Sequence, residues 1–242
     1  LLGDFFVAVE PSVSSVPGAI DFERRDGFKS KPTLARFRLL DLEMLFTVEA
    51  ISLFSHEFAA LRLSDRRAFI TENEINGLAF PDVPGSLVLF GLGYGLDRLA
   101  EIAWLHHTEM WYWGDIDTHG LAMLDQLRCY FPHARSMLID NSTLQTHRTL
   151  WGEEPTPTAK VLPRITVRNR HLQRTALNEF AARLRLEQER ISYGWVAQTL
   201  ANLVEQTRHD VIHCSIQRAE SAMDENDNSP IEFEVNNRTG VP

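Results

Sequence analysis

The sequence predicts an α/β fold built on a mostly parallel sheet, and three observations carry that expectation. Short strand-like runs alternate with segments of helical spacing through the middle of the chain, the pattern of successive βαβ units. One of those runs, Ser86–Phe90 (SLVLF), is almost wholly apolar, as a strand covered on both faces must be. Three of the runs end in acidic residues, at the strand ends where open α/β sheets carry their sites.

Residues 1–35 hold Pro11, Pro17, Gly18, Gly27 and Pro32 among clustered charges, and read as an irregular entry segment with one or two short strands. In the apolar-rich stretch Phe37–Ala60 a strand is expected near Leu45–Leu53, then a helix with Ser55 as its N-cap. Ala68–Thr71 is a short apolar run ending in acids. Ser86–Phe90 leads into a turn rich in glycine, Gly91-Leu92-Gly93-Tyr94-Gly95. Leu96–His106 follows with helical spacing, placing Leu96, Leu99, Ile102, Ala103 and Leu105 on one face. Met110–Trp113 reads as a strand and Gly120–Phe131 as an amphipathic helix that turns Leu121, Leu124, Leu127 and Cys129 or Tyr130 inward. Ser136–Ile139 is a further strand, and the prolines of Trp151–Pro163 mark a connector. Leu172–Ile191 is expected to be one long amphipathic helix, and Ser192 to cap another over 194–206. The resulting division is an entry segment (1–60), an α/β domain with a C-terminal helical extension (61–218) and a flexible acidic tail (219–242).

With 242 residues, 44% hydrophobic and 24% charged, the composition is that of a globular protein and excludes wholesale disorder. No run of apolar residues is long enough to span a membrane, and Leu1–Glu10 lacks the basic flank and cleavage site of a signal peptide. The chain opens without Met, and is expected to be part of a longer protein. Its two cysteines, Cys129 and Cys214, exclude a disulfide framework and a structural zinc site. They are expected to be small buried hydrophobes in a reducing, cytoplasmic setting. The net charge of −9 is uneven: residues 219–242 carry −5 of it. All but three of the 24 basic residues are arginine, which suits bidentate contacts to phosphate or carboxylate and is also what GC-rich codon usage produces.

The chemistry gathers at three strand ends. Asp115 and Asp117 lie two apart in Gly114-Asp115-Ile116-Asp117-Thr118-His119-Gly120, so an extended backbone presents both carboxylates on one side. Crowded carboxylates repel unless a cation lies between them, and an all-oxygen donor set selects Mg²⁺ or Mn²⁺. Glu72 and Glu74 follow the first run, position favouring Glu72, and Asp140 follows the third. The competing reading makes the Asp residues turn formers and helix caps. His119 can serve a phosphate or a leaving oxygen, or be plain polar surface. The Gly91–Gly95 turn lacks the Lys-Ser/Thr of a phosphate loop.

A glutamate after one strand and Asp-x-Asp after a later one resembles the Toprim domain of topoisomerases, primases and some nucleases. Longer words are more specific: GFKSKPTLARFRLLD (27–41), ITENEINGLAFP (70–81), WYWGDIDTHGLAMLDQLR (111–128), LIDNSTL (138–144) and RLEQERI (185–191). Together, over residues 25–200, they resemble the JetD family, nuclease subunits of bacterial Wadjet anti-plasmid systems. The resemblance implies a Toprim (Rossmann-like) sheet and a homodimer similar to the A subunit of type IIB topoisomerases. It also implies an Mg²⁺- or Mn²⁺-dependent endonuclease that cuts closed circular double-stranded DNA with the SMC-type subunits of the same system. Carried over by motif, Glu72, Asp115 and Asp117 are the metal and catalytic residues, with His119 beside them. Asp140, at the third strand end, is expected to support a second ion. Arg164, Arg168 and Arg170 are the expected DNA contacts. None of the four tyrosines has a motif of its own, which favours hydrolysis by water over a covalent intermediate. The alternatives are a non-catalytic DNA-binding or assembly subunit and a topoisomerase-like transesterase.

Overall fold

A computed structural model describes residues 34–41, 50–63, 66–92, 95–174 and 184–207. The acidic tail, Cys214, most of the entry segment and the first part of the strand expected near Leu45–Leu53 lie outside the described residues. The chain divides into two compact units, Leu1–Val196 and Ala197–Pro242.

The first unit holds a six-stranded sheet and the site. Its elements, in order, are β1 (Leu34–Leu39), β2 (Ile51–Phe54), α1 (Ser55–Ala60), β3 (Arg67–Thr71), α2 (Glu74–Leu78) and β4 (Ser86–Phe90). Then come β5 (Met110–Trp113), α3 (Thr118–Tyr130), β6 (Arg135–Ser136), α4 (Asn141–Thr146), β7 (Gly152–Glu153), α5 (Val167–Arg174) and β8 (Leu184–Arg185). In the second unit residues 197–207 are helical, with Leu200 and Leu203 buried.

The strand order is β2-β1-β4-β3-β5-β6. The pairs β4–β3, β3–β5 and β5–β6 are parallel, and β1 runs antiparallel to both β2 and β4. The sheet is therefore α/β and mostly parallel, consistent with a Rossmann-like Toprim fold. β4 is buried at every residue, which explains why it is apolar from Leu87 to Phe90. Phe69, Ile70 and Tyr112 continue that core, and α3 adds Leu121, Leu124 and Leu127.

Several local expectations need correction. Leu96–His106 is not one α-helix but two 3₁₀ segments, Gly95–Glu101 and Ala103–His107, because Ile102 is extended and breaks the run. Ser55 is the first helical residue rather than the cap. The N-cap is Phe54, whose N–H donates to Glu57 at 2.9 Å. The strand expected at Ser136–Ile139 is only Arg135–Ser136, and the chain then turns through Leu138 at a φ of 61°. Cys129 is exposed. Its place on the inner side of α3 goes to Arg128, whose guanidinium reaches the carbonyls of Ala134 and Arg164 at 2.9 and 3.2 Å.

The largest correction concerns Leu172–Ile191. Helix α5 covers 167–174, but Leu184–Arg185 is a strand and only Gln188–Arg190 is helical again, as a single 3₁₀ turn. Leu184 and Arg185 pair with Glu153 and Gly152, and Leu186 bridges to Ile116 inside the acidic loop. Helical spacing could not reveal this, since the partners lie more than thirty residues away along the chain.

Candidate active site

The topology itself makes a crevice. The chain leaves β3 toward β4 on one side and leaves β5 toward β6 on the other, although β3 and β5 are neighbours. Connections that diverge from adjacent parallel strands leave a gap at their carboxyl ends. Thr71 pairs with Trp113 at those ends, so the next residues, Glu72 and Gly114, are brought side by side.

Glu72 turns into the gap. A Cβ built on Gly114 would lie 2.3 Å from its Oε1 and 2.4 Å from the Tyr112 hydroxyl, so any side chain at 114 would expel one of them. Tyr112 is completely buried and its hydroxyl donates to Glu72 Oε1, with the Gly120 carbonyl a second acceptor at 3.3 Å. Burial lifts the Glu72 carboxyl to about 7; the negative charges of Asp115 and Asp117 add to the rise, while the Tyr112 hydrogen bond and Arg185 oppose it. Tyr112 is itself pushed well above the usual tyrosine value, first by burial and then by Glu72. A hydroxyl so sealed keeps its proton and holds the Glu72 carboxylate by donating to it.

Asp115 and Asp117 are each anchored twice. Asp115 Oδ1 accepts the backbone N–H of Gln188 at 2.9 Å, and Asp117 Oδ1 accepts that of Gly120 at 2.7 Å as the N-cap of α3. The remaining oxygens converge on Arg185: Asp115 Oδ2 lies 2.8 Å from Nη2 and 3.3 Å from Nε, and Asp117 Oδ2 lies 3.4 Å from Nε. Burial raises the Asp117 carboxyl above its usual range; its Gly120 hydrogen bond opposes the shift, and nearby Glu154 and Asp115 add to it. Gly120 is required here, because a Cβ would fall 2.2 Å from the Asp115 carbonyl oxygen.

Four residues that sequence reasoning did not assign to the site complete it. Arg185 is the cation between the two aspartates. Gln188 donates its side-chain N–H to the Trp113 carbonyl at 2.7 Å and to Thr71 Oγ1 at 3.0 Å, clamping the ends of β3 and β5. Glu154, 2% exposed, accepts from Thr118 Oγ1 at 2.6 Å and from its N–H at 3.2 Å, adding a further carboxylate beside Asp117. Tyr112 holds Glu72. The word RLEQERI carried Arg185 and Gln188, but only the bridge to Ile116 shows what they face. For Glu154, in the proline-rich connector, the sequence held no signal.

The other candidates are placed as follows. His119 is half-buried, with Nε2 2.8 Å from the Thr156 carbonyl and 3.9 Å from Glu154. Asp140 caps α4 through the Thr143 N–H at 2.9 Å. Glu74 is exposed and pairs with Arg36 of β1. Arg164 lies 3.1 Å from Asp125, and Arg170 donates to the Ile165 carbonyl at 3.3 Å; Arg168 stands on α5 between them. Arg190 pairs with Glu187 at 2.8 Å, so part of the charged 185–190 stretch is an internal ion-pair network.

As they stand, no three His, Cys, Asp or Glu side chains among the described residues are grouped to hold a metal ion. The donor chemistry nonetheless fits one. The residues at the crevice are oxygen donors of the kind that selects hard divalent cations, and a guanidinium stands between Asp115 and Asp117 as a cation.

Among the described residues no helix is long and apolar enough to cross a membrane. A family model described as Wadjet protein JetD, C-terminal, matches residues 27–200. No curated protein matches the chain.

Proposed function

From the premise that the chain belongs to the JetD C-terminal family of the Wadjet defence system, we propose that it is a divalent-metal-dependent DNA endonuclease. It would cut closed circular DNA as a homodimer working with the SMC-type subunits of that system. The observation that carries this reading is the surplus of carboxylates at the β3–β5 crevice, where Glu72, Asp115 and Asp117 share one arginine.

Asp115 and Asp117 would hold Mg²⁺ or Mn²⁺ through their Oδ2 atoms, with Glu72 completing the site and Asp140 supporting a second ion. The bound cation would supply Lewis-acid charge for the phosphodiester and lower the pKa of an attacking water. Glu72 would take the proton of that water. Tyr112 keeps the Glu72 carboxylate aimed, and Gln188 keeps the two strand ends together. Arg164, Arg168 and Arg170 would grip DNA phosphates outside the crevice.

One observation favours a second reading, a non-catalytic DNA-binding subunit: Asp117 and Asp140 both perform as helix caps. The test is cleavage of supercoiled plasmid in Mn²⁺ and Mg²⁺ by wild type, Glu72→Ala and Asp115→Ala, with the partner subunits present. Loss of cutting by about 10³-fold or more in both variants is expected, the scale on which removal of a directly acting group shows. Variants that cut like wild type would leave the caps reading in possession. Charge reversal at Arg164, Arg168 and Arg170 should weaken DNA binding and flatten its salt dependence. A covalent protein–DNA adduct would replace hydrolysis with transesterification.

A further inference from the structure

We propose that Arg185 is a built-in competitor of the divalent cation: its guanidinium holds Asp115 and Asp117 in the cation-free protein and is displaced when the cation binds. The inference rests on the metal-dependent reading above.

The geometry separates anchoring from occupancy. Each aspartate is fixed by a backbone N–H through Oδ1, from Gln188 and from Gly120, and each presents Oδ2 to Arg185. Removing the guanidinium therefore leaves both carboxylates in place, with two oxygens aimed at the position it occupied. The backbone that carries Arg185 cannot follow it. Gly152 pairs with Arg185, and Leu186 exchanges both hydrogen bonds with Ile116 at 2.9 and 3.1 Å. The side chain alone can leave. It is one third exposed, and Glu187 Oε1, 3.5 Å from Nη1, offers a partner outside the acid pair. A monovalent guanidinium and a divalent ion cannot share two oxygens at contact distance, because like charges repel most strongly where solvent screens least. Binding the ion thus requires breaking charge-assisted contacts that are among the stronger polar interactions in a protein.

The test measures Mn²⁺ binding without DNA, by calorimetry and by the resonance signal of free Mn²⁺. The proteins are wild type, Arg185→Met, Arg185→Gln and Arg185→Met with Asp115→Asn. Loss of the competitor should tighten Mn²⁺ binding about tenfold, equivalent to about 1.4 kcal/mol, in both single variants, and Asp115→Asn should abolish the gain. Two neutral replacements of different polarity guard against one failing to fold, which melting curves report. A folded Arg185 variant that binds Mn²⁺ no tighter than wild type overturns the inference, and if that binding still requires Asp115 the metal-dependent reading survives. Absence of binding in every variant overturns both.

Discussion

Two of the regions where acidic residues meet arginine differ in their bookkeeping of charge. Around the antiparallel strand β1, three described acids each have an arginine of their own: Glu74 has Arg36, Asp82 has Arg38 and Asp41 has Arg66. Arg36 and Arg38 alternate on β1 with buried Ala35 and Phe37, so these pairs form a solvated face over an apolar one. At the parallel end of the sheet, Glu72, Asp115 and Asp117 share Arg185, and Glu154 adds its charge beside Asp117. Surface pairs that balance one to one contribute little and ask nothing of a partner. A largely buried cluster short of positive charge is costly for the fold, and is the arrangement a divalent cation needs. The paired edge is therefore architecture, and the unbalanced end is the one on which the proposed metal-dependent reading rests.

The comparison breaks most readily at the glycine that lets the unbalanced end form. Gly120→Ala would drive a Cβ against the backbone carbonyl of Asp115, which is not a flexible side-chain end and cannot step aside. The expected cost is about 2–3 kcal/mol, read as a fall in melting temperature, with cleavage lost as Asp115 shifts. Gly85 is the control from the edge. A Cβ there meets nothing within 4 Å, and the cost should be confined to its φ of 67°. Equal losses at the two positions would show that close packing at Gly120 is not what holds the acidic loop.

Much of this contrast was legible in the sequence, for identifiable reasons. SLVLF announced a strand buried on both sides, and Asp115-x-Asp117 after MWYW announced a pair of carboxylates at a strand end. Both are local patterns whose spacing is fixed by backbone geometry. What stayed hidden depends on contacts distant along the chain. Arg185 sits seventy residues from Asp115, and its helical spacing with its neighbours pointed to the wrong element, because pairing with β7 and with Ile116 overrides local preference. Glu154 lies in a connector where it follows another acid, Glu153, and no periodicity separates the two. Tyr112 was visible as a strand residue, but its role needed the register of β3 against β5.

Acidity sharpens the contrast further. Glu72 titrates near 7 in the folded protein against an ordinary value of 4.5, so the fold binds its proton more tightly than the unfolded chain does. A raised value means that the stabilisation is complete below pH 4.5 and is lost as pH climbs through 7. Without metal, wild type should therefore lose up to about 3 kcal/mol over that window relative to Glu72→Gln, which carries no titrating proton. Melting temperatures at pH 5, 6, 7 and 8 in a chelator give the difference directly. Added Mn²⁺ should shrink it, because the cation takes the ionised form. Parallel curves for the two proteins would mean that burial of Glu72 is relieved in solution.

The smallest effect is expected at Glu74, and its smallness is informative. Glu74 is two residues from Glu72, carries the same charge and opens α2, so sequence alone leaves it a rival for the same role. In the fold it is exposed and satisfied by Arg36, which holds its carboxyl below the usual range. Glu74→Ala removes an exposed pair whose Coulomb energy is spread through water. Melting temperature and plasmid cutting should both stay close to wild type, while Glu72→Ala abolishes cutting. Were the two substitutions to cost the same activity, the crevice would not distinguish a paired acid from an unpaired one, and the division between edge and site would fail at its most closely matched pair of residues.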